Sequence, residues 1–144
     1  MDKEMLSFFV DEIKEIRKGM VSSISGLIAS KLEDSSKFAE IGQMVDRIYG
    51  TAATLGLKEI SEYTKAVKDV SYMASASDNE AGKKKVMKFI IKYVELSDQI
   101  CECIFDEAEL TKINRLLNLE KSRAEILNKK EFFSVETKSC DIEK

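Results

Sequence analysis

The sequence predicts an all-α fold: an antiparallel up-and-down four-helix bundle with an additional long helix. Three observations predict it. Apolar residues recur at steps of three and four through most of the chain. Proline is absent from the 144 residues and only six glycines occur, so helix breakers are few. The stretches between periodic segments are short and polar, which makes successive helices antiparallel neighbours.

The first helix is expected from about residue 3 to about residue 31, with Leu6, Phe9, Ile13, Ile16, Met20, Ile24 and Leu27 on one face. A bend near Gly19 or Gly26 would be in keeping with their weak helix propensity. Lys31 to Ser36 is polar and forms the first turn. Ser35 is a favourable N-cap for a second helix carrying Phe38, Ile41, Val45, Ile48, Ala52 and Leu55, and Gly56 supplies its C-terminal stop. A third helix follows at once, with Leu57, Ile60, Thr64, Val67, Val70 and Ala74 in register. After SASDN, Ser77 and Glu80 read as a capping box for a fourth helix bearing Val86, Ile90, Tyr93, Val94, Ser97, Ile100 and Ile104. Asp106 with Glu109 caps a fifth, whose row is Leu110, Ile113, Leu117, Ala124 and Leu127. Residues 1–129 are therefore read as one helical domain. Residues 130–144 are read as a tail, mobile or bound to a partner, in which Phe132 and Phe133 are anchors for the bundle or for a second copy.

Composition excludes several classes of function. The formal charge of −3 gives no drive towards nucleic acid. Apolar runs are short and interrupted by charge, so no membrane span is expected, and the acidic N-terminal stretch does not read as a signal peptide. Three cysteines without framework spacing fit a reducing cytoplasm. The most restrictive number is zero histidines, which removes imidazole as base, nucleophile and metal ligand. No serine or cysteine has a base in its motif and no phosphate-binding glycine loop occurs, so no enzymatic activity is expected. No metal or cofactor is expected within the chain itself.

One segment stands apart. DRIYGTAATLG, residues 46–56, gathers two glycines, two alanines and two threonines inside the second helix. At about 100° per residue, Ala39, Gly42, Asp46, Tyr49, Gly50 and Ala53 form a strip of mostly small side chains flanking the core face. Glycine in a helix costs up to about 1 kcal/mol against alanine, so the strip needs an offsetting use. Close packing by a neighbouring helix and close approach by a partner protein both satisfy that need, and spacing alone does not separate them. Lys83, Lys84, Lys85, Lys88 and Lys92 cluster early in the fourth helix. They form either a solvated face or a contact for an acidic partner.

The segment Asp46-Arg47-Ile48-Tyr49-Gly50-Thr51-Ala52-Ala53-Thr54-Leu55-Gly56 resembles the signature of the histidine phosphotransfer (Hpt) domain family, His-x-Leu-Lys-Gly-Ser-Ala-x-x-Leu-Gly. Ile48, Gly50, Thr51, Ala52, Leu55 and Gly56 match it in place or conservatively. The helix LSFFVDEIKEIRKGMVSSISGL before it and the hairpin LKEISEYTKAVKDV after it extend the resemblance over roughly residues 4 to 106. The family's phosphoacceptor histidine falls on Asp46 and its lysine on Tyr49. The resemblance therefore implies a pseudo-Hpt protein that cannot carry a phosphohistidine, while Gly50 keeps the spacing that admits a receiver domain. It implies a non-catalytic cytoplasmic adaptor for a response-regulator receiver domain or a histidine kinase, with Mg²⁺ only as a bridge between carboxylates at the partner interface. The rival expectation is a helical interaction module that uses another surface, to form a homodimer or to engage an unrelated protein.

Overall fold

The computed structural model describes residues 2–132 and contains five α-helices and no strand among them. They are α1 (Lys3–Ala29), α2 (Ser36–Thr54), α3 (Lys58–Ala76), α4 (Glu80–Cys103) and α5 (Glu107–Glu131). The first four form an up-and-down ring, in which α1 packs on α2 and α4 while α3 packs on α2 and α4. The additional helix is α5, which lies outside the ring against α3 and α4. No helix among the described residues is long and apolar enough to cross a membrane.

The rows expected on α1, α2 and α4 all turn inward, with only Ile24 and Leu55 half-buried. On α3 the burial exceeds one row: Ser61, Tyr63, Ala66 and Ser71 are buried beside Ile60, Thr64, Val67, Val70 and Ala74. The cause is α5, which covers a second face of α3. On α5 itself the buried positions are Ile113, Leu117, Glu120, Ala124 and Leu127. Glu120 thus occupies the core position that the apolar row skips, and Arg123 one turn on donates to its Oε1 at 3.0 Å. At the centre, the rings of Tyr63 and Tyr93 stack tilted with centroids 5.4 Å apart, and the Tyr93 hydroxyl shares a hydrogen bond with Thr64 at 3.1 Å.

Two helix boundaries and one capping bond differ from expectation. The cap of α4 is Asn79, whose side chain accepts from Gly82 N–H at 3.0 Å, and the Ser77 hydroxyl instead accepts from Asn79 N–H at 2.9 Å. Asparagine outcompetes serine there because α4 starts later than the capping-box pattern suggests. Ser35 precedes α2 but makes no capping bond with its side chain, which accepts from Lys83 Nζ at 2.9 Å. Finally α5 runs to Glu131, past the expected boundary at residue 129, because Phe132 is fully buried over the backbone of Gly82. Asn79 and Lys85 both bond Glu131 and hold its carboxyl below the usual range. Phe133 and the rest of the expected tail lie outside the described residues. The Asp106 cap is as expected, accepting from the N–H groups of Ala108 and Glu109 at 2.9 and 3.2 Å.

Both early turns use the same closure, with different residues. After α2, Gly56 takes φ +74° while its N–H and that of Leu57 bond back to Ala53 and Ala52. After α1, Lys31 and Leu32 bond back to Ile28 and Leu27 in the same pattern, at φ 54° and 66°. Side chains in that region cost about 1–2 kcal/mol. Lys31→Gly is therefore expected to raise the unfolding free energy by roughly 0.5–1 kcal/mol, net of the glycine's greater freedom when unfolded. Urea denaturation measures it, and an unchanged or lower stability would show that the Lys31 side chain contributes more than the strain costs. In the core, Tyr93→Phe should cost about 1 kcal/mol by stranding the Thr64 hydroxyl. Adding Thr64→Val should then cost less than it does alone; strict additivity in a double-mutant cycle would remove the bond from the account.

Candidate functional site

Helix α2 stands between α1 and α3, with Phe38, Ile41, Val45, Ile48 and Ala52 buried beneath it. The small-residue strip runs along its flank and is divided in two. At the N-terminal end Ala39 is half-buried and Gly42 is buried. A Cβ on Gly42 would come within 3.0 Å of the Tyr72 ring of α3, so this glycine makes room for a neighbouring helix. At the C-terminal end Gly50 and Ala53 are exposed, and a Cβ on Gly50 would meet no atom within 4 Å beyond its own helical turn. Packing accounts for the first half of the strip. It does not account for the second.

Asp46 lies between the halves with its side chain half in solvent. Lys68 Nζ of α3 approaches its Oδ1 at 3.2 Å and sits 4.9 Å from the centroid of the half-buried Tyr49 ring. Lys68 is the less exposed partner, so its stem packs between α2 and α3 while its ammonium reaches the rim. A pair this open to water contributes well under 1 kcal/mol to stability. Its larger effect is local, because it places a cation beside the carboxylate at the centre of the strip. Thr51 and Thr54 turn their hydroxyls back onto the carbonyls of Arg47 and Gly50, at 3.3 and 2.9 Å.

The lysine cluster of α4 does not form one patch. Lys83 is buried and bonded to Ser35, and Lys85 pairs with Glu131, so both tie the bundle's end together. Lys84 and Lys88 remain exposed, and Lys88 lines a recess of about 310 Å³ between α4 and α5 with Phe89, Lys92, Glu120 and Arg123. Among the described residues no group of three or more His, Cys, Asp or Glu side chains is arranged to hold a metal ion.

A feature outside the expected strip adjoins Gly50. The start of α1 and the end of α2 border an open groove of about 340 Å³, lined by Met5, Phe8, Phe9, Glu12, Gly50 and Thr54 among others. Phe9 is core at 1% exposure, whereas Phe8 is 65% exposed and Met5 48%. The sequence signal was the pair itself: two adjacent phenylalanines on one helix cannot both face the core.

The two halves of the strip should respond differently to one methyl group. Gly50→Ala is expected to raise stability by about 1 kcal/mol, since it gains helix propensity and meets no obstacle. Gly42→Ala should gain clearly less, because the Tyr72 ring has to move. Equal gains in thermal or urea unfolding would show that Tyr72 does not pack on Gly42.

Compared with protein-family models, with curated proteins and with solved structures, the chain matches none.

Proposed function

We propose that the chain is a non-catalytic, Hpt-like adaptor of two-component phosphosignalling. It binds a response-regulator receiver domain or a histidine kinase in the cytoplasm through the exposed half of the α2 strip, and modulates phosphotransfer without carrying phosphate. The observation that carries this reading is the pairing of Asp46 and Gly50. They occupy the phosphoacceptor and close-approach positions of the motif, one helical turn apart, and both lie on the open side of α2. The surrounding ring of four antiparallel helices is the setting that the motif requires.

The electrostatics of such docking follow from the side chains present. A receiver's pocket is itself acidic, and two carboxylates about 4 Å apart repel by up to roughly 4 kcal/mol at an effective dielectric near 20. Lys68 offsets part of that repulsion by standing 3.2 Å from Asp46. A divalent cation bridging the carboxylates would offset more, through the oxygen ligands that magnesium prefers. The positive charge that the family's motif places at the position of Tyr49 is replaced here by Lys68 from the neighbouring helix, held over the Tyr49 ring. Receiver domains titrated against the chain should bind about tenfold or more tightly with Mg²⁺ than without it. Gly50→Arg should abolish binding while the bundle stays folded. Equal affinity in both conditions, undisturbed by Gly50→Arg, would overturn the reading.

A further inference from the structure

We infer that the groove between the start of α1 and the end of α2 is a docking site for a basic amphipathic helix of another protein, which seats an apolar side chain against Phe8 over Gly50 and a lysine or arginine against Glu12. The inference does not depend on the partner's being a receiver domain. Its first support is apolar: Phe8 and Met5 are exposed beside a floor that Gly50 leaves open. Its second is a carboxylate. Glu12 lines the same groove, its Oε1 is buried without a hydrogen-bond partner, and Glu12 is in no ion pair among the described residues. A buried carboxylate oxygen left unpaired is costly, and a cation seated against the carboxylate lowers that cost.

The rim has the same sign. On α1 the positions one and two turns from Phe8 on its own face are Glu4, Asp11, Glu12 and Glu15. Glu15 is met by Lys18 at 3.3 Å. The cations Lys3 and Lys14 fall on other faces of α1. Across the groove α2 contributes one cation on the facing strip, the exposed Arg47, which pairs with none of these acids. The acid surplus selects a basic partner. The spacing of Phe8 and Glu12, one turn apart along a groove between antiparallel helices, selects a helical one that reads out at i, i+3 and i+4.

A phage-displayed library of random peptides about 16 residues long, panned against the full chain, tests the site. Enriched sequences should carry a bulky apolar residue with lysine or arginine three or four positions away. A synthetic peptide of that sequence should lose at least about tenfold in affinity on Glu12→Gln and on Phe8→Ser, and all measurable binding on Gly50→Arg. Panning on Glu12→Lys should reverse the preference towards acidic residues. Phe8 and Glu12 are not core residues, so those variants carry the test independently of Gly50→Arg. No enriched sequence, enrichment without basic residues, or binding that ignores Phe8→Ser and Glu12→Gln would overturn the inference. So would a concentration-dependent dimer in sedimentation that Phe8→Ser dissolves, since the occupant would then be a second copy.

Discussion

The reversal at Gly56 is the constraint on which the rest of the candidate site depends. Its left-handed backbone closes α2 with two hydrogen bonds, 3.1 Å from Gly56 N to Ala53 O and 3.0 Å from Leu57 N to Ala52 O, and α3 starts at Lys58. So short a link leaves the two helices no freedom of register. Gly42 faces Tyr72 and Asp46 faces Lys68, and the members of each pair are equally distant from Leu57 along the chain. The covered and open halves of the strip follow from that register, as does the ion pair at its centre. A residue with a side chain at Gly56 would strain the turn and shift every one of these pairings. The α1–α2 turn achieves the same closure with Lys31 and Leu32, which shows that the fold tolerates strain at the other end of α2.

The interior is chemically quiet, and burial makes it so. Tyr63 and Tyr93 are pushed far above the usual phenol range by desolvation, and the Cys101 thiol is pushed up to about 11 by the same cause. Groups held neutral in this way neither attack nor exchange protons near neutral pH. The polar atoms of the core serve packing and specificity instead. Thr64 and Tyr93 satisfy one another, and Glu120 is neutralised from its own helix by Arg123.

The helices and their core rows were legible because their spacing repeats a local geometry. Positions that depend on which helix lies opposite were not. Tyr63 and Ala66 are off the main row of α3; Tyr63 is buried against Tyr93 of α4, and Ala66 lies where α5 packs. Glu120 breaks an apolar row by its chemistry while keeping it by its spacing, so a reading by hydrophobicity passes over it. Ser77 and Asn79 both match a cap, and the choice between them is made by where α4 begins. The same division runs through the site. Asp46 and Gly50 could be singled out by composition and placed on a face by periodicity. Lys68 could not, because its meeting with Asp46 is a matter of register, and the unpartnered oxygen of Glu12 depends on the packing of α1 against α2.

The two glycines of the strip carry an argument about where function lies. Each costs the isolated helix up to about 1 kcal/mol relative to alanine. Gly42 recovers that cost inside the fold, since the Tyr72 ring of α3 packs where its side chain would be. Gly50 recovers nothing of the kind, because nothing beyond its own helical turn lies within 4 Å of the place where a side chain would begin. Gly50 also borders two surfaces of different character. On one side lie Asp46, Tyr49 and Lys68, a charged and adaptable rim. On the other lie Phe8, Met5 and Glu12, an apolar groove with an acidic edge. A partner that approaches this glycine closely meets both at once, so orientation is set by charge on one side and adhesion by apolar burial on the other. Neither surface alone has that combination, and the open glycine is what joins them.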